Sequence, residues 1–154
     1  MKKRLPLLGL ALGASLIVLQ FFHPERNLGT AGGPDDITAR FAVPPDVQTV
    51  LANACYDCHS NRTRYPWYAS VQPVGWWLAH HISEARGELN FSEFGTYGAK
   101  RAARKLDAIV DQVEQRDMPL RSYTWMQPAA RLTAAQRKLI TGWAQTLHDK
   151  IAPE

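Results

Sequence analysis

Both cysteines of the 154-residue chain lie within five residues, in the stretch CYDCH from Cys55 to His59. A disulfide between them would close a loop with only two intervening residues and would stabilise the fold little. A structural zinc site usually needs two pairs of Cys or His ligands, and this stretch supplies one. The chemistry of this stretch therefore has to be inferred from its surroundings.

The residues before Cys55 predict a helix. Val47, Val50, Leu51 and Ala54 fall at i, i+3, i+4 and i+7, and Asp46 is the predicted N-cap. A thioredoxin-like redox pair would instead be expected in a strand–helix–strand setting.

Helical patterns also dominate the rest of the chain. Helices are predicted over 76–88, over 97–116 and from Thr133, which forms a T-x-x-Q capping box with Gln136. No convincing alternating strand pattern is present, so the fold class expected for residues 46–150 is all-α. The proline-containing segments 60–73 and 118–132 are costly to order unless a large group lies beneath them.

The N-terminus has a different character. Three cations at positions 2–4 precede Leu5–Phe22, which is 18 residues long and uncharged. As a helix this run spans about 27 Å, just short of a ~30 Å hydrocarbon core. No small-x-small cleavage site closely follows it, so residues 1–22 are predicted to be an uncleaved membrane anchor in preference to a cleaved export signal. Residues 23–45 are predicted to be a flexible tether, and the remainder to be exported.

The charge distribution argues against nucleic-acid binding. Three of the 18 Lys and Arg residues lie in the first four positions, which leaves 15 against 14 Asp and Glu. A nucleic-acid binder needs clustered cations to displace counterions from phosphates.

The remaining interpretation of CYDCH is the C-x-x-C-H attachment motif of a c-type haem. Two thiols at this spacing match the two vinyl-derived carbons of one porphyrin edge, and the adjacent histidine is placed to bind iron. Such attachment takes place outside the cytoplasm, which agrees with the predicted export. One covalently attached haem c is therefore the expected cofactor.

Several stretches of the chain resemble a known family. ACYDCHSNRTRYPWY, ELNFSEF and DMPLRSYTWMQPAARLT, with the short terminal helix, look like the small membrane-anchored haem-binding domains of bacteria, a cytochrome c-like group. The similarity covers about residues 46 to 147. It implies thioether links at Cys55 and Cys58 and a proximal iron ligand at His59.

The sixth iron ligand is less constrained by the sequence. Met118 is the first choice, because it lies in a loop beside Pro119 after the longest predicted helix and a thioether suits haem iron. His81 or its neighbour His80 is the second choice; adjacent helical residues point about 100° apart, so only one of them would reach the iron. Met126 is a third candidate, although gap-filling packing is the commoner role of methionine.

Together these features predict a cytochrome that carries single electrons between redox partner proteins. It would be tethered to the bacterial inner membrane, with its haem domain in the periplasm. The alternatives are a haem-based sensor, which needs a weakly held sixth position, and a haem peroxidase, which needs a distal acid–base residue. No nucleophile with an adjacent base indicates other substrate chemistry.

Overall fold

The computed structural model describes residues 4–152, with side chains from residue 7 onward. Its α-helices are α1 Arg4–Leu19, α2 Ile37–Arg40, α3 Pro45–Ala54, α4 Tyr56–His59, α5 Val74–Glu88, α6 Ala99–Glu114, α7 Arg121–Met126 and α8 Ala134–Ile151. Short 3-10 helices cover Trp67–Ser70, Phe91–Thr96 and Pro128–Ala130. Within this range no strand occurs, only an isolated bridge between Leu28 and Arg62. The all-α prediction is confirmed.

The main core lies between α3, α6 and α8. The amphipathic α6 turns Leu106 and Val113 inward, where they meet Ile140 of α8 and Leu51 of α3. Trp143 belongs to the same buried cluster, as its place on the apolar face of the terminal helix predicts. A stripe of apolar residues three and four apart is enough to bury one side of each helix.

The predicted start of α8 is confirmed and that of α3 is corrected. Thr133 and Gln136 form both hydrogen bonds of a capping box. In α3 the N-cap is Pro44 and the first helical residue is Pro45, so Asp46 lies inside the first turn and is not the cap. Proline is favoured at the first helical position because its fixed φ suits the helix and its missing N–H needs no partner there.

A smaller apolar cluster lies on the other side of α4. Tyr68 and Ala69 of the 3-10 helix pack with Leu78 and Ile82 of α5. The short helix α4 therefore lies between two clusters, with α3 leading into it and α5 beside it.

Residues 23–45, predicted to be a flexible tether, are hydrogen-bonded to the domain in the structure. The Asn27 backbone N–H donates to the Tyr65 hydroxyl at 2.7 Å, and its side-chain Nδ2 donates to Ser60 O at 2.9 Å and to Thr63 Oγ1 at 3.0 Å. A polar segment without periodicity is held here by hydrogen bonds to the loop that follows α4.

Further along the same segment the chain enters the core. Asp36 caps α2 by accepting from Thr38 N, and Ile37 is completely buried. Gly95 N donates to Asp35 O at 2.8 Å. The folded unit therefore includes this segment and begins well before Asp46.

The anchor predicted for residues 1–22 is not supported at its predicted length. The helix α1 has 16 residues and ends at Leu19, whereas about 20 apolar residues are needed to span a bilayer. Across residues 4–152, no helix is both long enough and apolar enough to cross a membrane.

Candidate functional site

A cavity of about 340 Å³ opens between α3, α4, α6 and α8. Its walls are mainly aliphatic and aromatic side chains, among them Leu51, Phe91, Ile109, Leu132 and Ile140. Ligand pockets in proteins are typically of this kind, largely apolar with a few polar groups that fix orientation. Cys55, His59 and Met118 all line this cavity.

His59 ends α4, and its ring is oriented by two backbone carbonyls. Nδ1 lies 3.0 Å from Ala85 O and 3.0 Å from Leu89 O. Since a carbonyl can only accept, Nδ1 must carry the proton, which leaves the lone pair on Nε2. Burial lowers the pKa of His59, although the two backbone hydrogen bonds oppose this effect. The imidazole is thus held in its neutral, metal-binding form.

Polar side chains on both segments hold the loop after His59 against the residues that follow α5. Asn61 Oδ1 accepts from Asn90 Nδ2 at 2.8 Å, and Asn61 N donates to Ser92 Oγ at 3.1 Å. Phe91, between those two residues, lines the cavity. The stretch NFSEF therefore supplies both a side chain of the cavity wall and the hydrogen bonds that hold the loop after His59.

Met118 follows the end of α6. The chain leaves the helix through Arg116, a non-glycine residue in the left-handed region at φ 65°. The N–H groups of Asp117 and Met118 then both donate to Gln112 O, at 3.0 and 3.1 Å. This turn closes the helix end and brings Met118 and Pro119, both half-buried, to the cavity wall.

The two cysteines are not placed alike. Both are free thiols; Cys55 joins α3 to α4 and lines the cavity, whereas Cys58 packs against the smaller cluster and is not among the lining residues. Burial raises the pKa of Cys55 to about 12, with a contribution from Cys58, and that of Cys58 to about 11, with a contribution from Asp57. Redox-active thiols have lowered pKa values, so this environment does not favour thiol–disulfide exchange.

One hydrogen-bond network near the site, centred on Asp57, was not predicted from the sequence. Asp57, between the two cysteines, accepts from Arg64 Nε at 2.9 Å and from the Tyr123 hydroxyl at 2.8 Å. Arg64 also donates to Ala52 O, which ties α3 to the same carboxylate. Tyr123 lies five residues after Met118, so the Asp57–Tyr123 contact joins the CYDCH turn to the segment that carries Met118. Nothing in the sequence marks a pair 66 residues apart.

The other candidate ligands lie elsewhere. His81 Nδ1 is 2.9 Å from Trp77 O, its ring is 4.3 Å from that of Trp77, and it does not line the cavity. His80 is exposed and pairs with Glu84 at 3.2 Å. Met126 ends α7 and is also exposed. Of the sulfur and imidazole candidates for the sixth position, the structure brings Met118 alone to the cavity with His59.

Among residues 4–152 there is no group of three or more His, Cys, Asp and Glu side chains arranged to bind a metal ion. A structural zinc site would need four ligands.

A family model described as a haem-binding domain matches residues 14–146 of the chain. The chain belongs to this family. The match begins within α1 and ends within α8, so it includes the segment 23–45 that the structure places on the domain. No curated protein and no solved structure matches the chain.

Haem fits the chemistry of this cavity. An apolar enclosure excludes water, His59 offers a free Nε2, and Met118 offers a soft thioether, the pair of donors used by many cytochromes. The charged residues that line the cavity, Lys105 and Glu88, pair with each other at 3.1 Å, and the Glu88 carboxylate is largely exposed. Haem propionates are groups that such an exposed, polar edge accommodates.

Proposed function

We propose that this haem-binding protein is a single-haem c-type cytochrome that carries electrons one at a time. The observation that carries the proposal is the presence of His59 and Met118 on one apolar cavity, with the His59 Nδ1 proton donated to two carbonyls. When bound, haem supplies the one-electron Fe(III)/Fe(II) couple, and the chain supplies ligands and a dry enclosure.

The residues around the cavity favour electron transfer over substrate chemistry. A peroxidase needs an acid–base side chain held at the distal position, and Glu88 is 82% exposed and already paired with Lys105. A sensor needs a sixth position that an external ligand can take, and Met118 lies on the cavity wall to fill that position.

We assign covalent attachment to Cys55 and Cys58. Each thiol would hold the haem through a thioether, formed by addition of its S–H bond across one vinyl group, with the hydrogen on the neighbouring vinyl carbon. Cys55 already lies on the cavity, whereas Cys58 has to turn away from the cluster of Tyr68, Leu78 and Ile82.

We also propose that the protein is exported and works on the periplasmic face of the bacterial inner membrane, with protein redox partners. Three cations followed by an uncharged apolar run are typical of a segment that directs export. The hydrogen bonds of Gln20 with Gln72 and of Trp76 with Phe22 O support retention of this segment, because a cleavage directly after it would remove them.

The test is a haem stain after denaturing electrophoresis, combined with optical spectra. Protein matured in a periplasm should give a stained polypeptide band, and Cys55→Ser with Cys58→Ser should abolish it. The ferrous wild-type protein should bind CO slowly or not at all. Haem that acid–acetone extracts completely would contradict covalent attachment, and rapid CO binding would favour a sensor over an electron carrier.

A further inference from the structure

Six large apolar side chains form an exposed surface at the end of the molecule where α1 meets the domain. Phe21 is 80% exposed and Trp67 79% exposed. We call this surface the aromatic patch; its members are Phe21, Phe22, Trp67, Val71, Val74 and Trp77.

Hydrogen bonds bring the segments of the aromatic patch together. The Gln20 side chain accepts from Gln72 N at 2.9 Å and donates to Gln72 O at 3.2 Å. Trp76 Nε1 donates to Phe22 O at 2.8 Å. Val74 and Trp77 are three residues apart on α5 and therefore share a side of that helix. The patch is thus one surface built from three segments, and hydrogen bonds between side chains and backbone atoms hold these segments together.

The neighbouring helix shows which environment suits this patch. The exposed apolar side chains of α1 include Leu7, Leu8, Leu10, Leu12, Leu16, Ile17 and Val18. At about 100° per residue these positions point all round the helix. A groove on a protein covers one face of a helix, whereas lipid covers every face, so α1 favours lipid as the common neighbour of helix and patch.

The residues of the patch suit the lipid headgroup region in particular. Tryptophan and other aromatic side chains are enriched at the boundary between hydrocarbon and water. Arg26 lies at the rim, where it donates to Ser70 Oγ at 2.8 Å and stacks over the Tyr65 ring at 5.1 Å. A cation beside an apolar surface is attracted to anionic headgroups.

We propose that the aromatic patch rests in the headgroup region of a lipid bilayer and fixes the orientation of the domain on it. Val74 begins α5 at the patch, and Glu88, which ends α5, lines the cavity. Fourteen residue steps of helix separate them by about 20 Å. The Glu88 edge of the cavity is therefore distant from the patch and stays open to a protein partner. This inference does not depend on the identity of the iron ligands.

Trp125 provides a matched control for the test. It is 76% exposed, as Trp67 is, but it lies on α7 and outside the patch. Full-length holoprotein would be mixed with vesicles of phosphatidylcholine and phosphatidylglycerol, with and without bromine placed near the headgroups. The measurement is the bromine-dependent loss of tryptophan fluorescence.

The protein should float with the vesicles, and bromine should quench its fluorescence. The double variant Trp67→Ser with Trp77→Ser should lose more than about half of that quenching, since these indoles would be the ones at headgroup depth. Trp125→Ser should keep it. Haem absorbance should be unchanged in all three proteins, which confirms that they are folded.

Three results would overturn the proposal: quenching carried by Trp125, equal quenching in the double variant and the wild type, or protein that stays behind when the vesicles float. A stable dimer in the absence of lipid that the double variant abolishes would also overturn it, because the patch would then be covered by a second copy of the chain.

Discussion

His59 and Met118 line the same cavity, but they are held there in different ways. The His59 ring is fixed directly by the carbonyls of Ala85 and Leu89, and the Asn61–Asn90 hydrogen bond holds the loop that follows it. The Met118 side chain can form no comparable hydrogen bond, and its segment is held through the turn at Arg116 and the Tyr123–Asp57 contact. The histidine side of the site is therefore rigid in itself, and the methionine side is rigid only through its neighbours.

The largest effect is expected from a substitution at His59, on the rigid side of the site. His59→Ala removes the proposed ligand that the structure orients most completely, so the yield of low-spin haem protein should fall by more than about tenfold. His80→Ala, which changes an exposed histidine, is the matched control and should leave the yield unchanged. The measurement is the haem absorbance per polypeptide after expression in a periplasm. Normal low-spin spectra from His59→Ala would show that another residue binds the iron.

The next largest effect is expected from Met118. Met118→Ala should remove the weak iron–sulfur charge-transfer band, lower the reduction potential and open the iron to CO, while haem remains attached. His81→Ala should change none of these properties, since His81 is hydrogen-bonded to Trp77 O away from the cavity. If His81→Ala abolished the low-spin state instead, the iron would have two histidine ligands.

A smaller effect is expected from the contact that holds the methionine segment. Tyr123→Phe removes one hydrogen bond to Asp57 while Arg64 still pairs with that carboxylate, which should lower the free energy of unfolding by about 1–2 kcal/mol. It should also speed CO binding a few-fold relative to the wild type, short of the effect of Met118→Ala. Arg121→Ala, at an exposed position of the same helix, should alter neither quantity.

The contribution of Tyr123 to the stability of the methionine side depends on pH. Burial raises the pKa of Tyr123, and its hydrogen bond to Asp57 adds to the effect. The folded pKa thus exceeds the unfolded value of about 10, so the contribution to stability is complete below pH ~10 and is lost as pH rises towards the folded pKa. Denaturant midpoints measured from neutral to alkaline pH should fall less steeply in Tyr123→Phe. Equal slopes in both proteins would show that the hydroxyl titrates normally.

The smallest effect is expected at Tyr56. Its hydroxyl is buried and has no hydrogen-bond partner among residues 4–152, whereas its ring packs on Phe91 at 5.4 Å. Tyr56→Phe keeps the ring and removes an unsatisfied polar atom, so the stability should stay constant or rise by up to about 1 kcal/mol. Chemical denaturation followed at the haem band would measure this change, and a clear loss of stability would reveal a partner for the hydroxyl.

The sequence predicted those parts of the molecule that depend on local pattern. Apolar spacing was sufficient for α5, α6 and α8, and the capping box for the start of α8. Apolar spacing does not reveal the contacts of residues 23–45, because Asn27 gains its partners only when the loop after α4 lies beside it. Polar segments of this kind carry no periodicity, and their order comes from tertiary contacts alone.

The candidate site also has features that the sequence predicts and features that it does not. CYDCH and the Met118–Pro119 pair stand out by composition and spacing, and the cavity brings Cys55, His59 and Met118 together. The carbonyls that orient His59 belong to Ala85 and Leu89, whose side chains give no sign of this role, and the Asp57–Tyr123 pair is distant in sequence. The direct positioning of His59 and the indirect positioning of Met118 therefore became apparent only from the structure.

The turn at Arg116, which follows α6, has a consequence for how this chain can vary in length. The helix packs along α8 through much of its length, so its residues are locked in register and Met118 follows at a fixed distance. One residue inserted within α6 would turn the exit of the helix by about 100° and shift it by about 1.5 Å, which would carry the thioether off the cavity wall. Around Gly32 and Gly33, where an added side chain meets open space, an insertion disturbs no such register. Related chains should therefore differ in length there and keep the length of α6 constant.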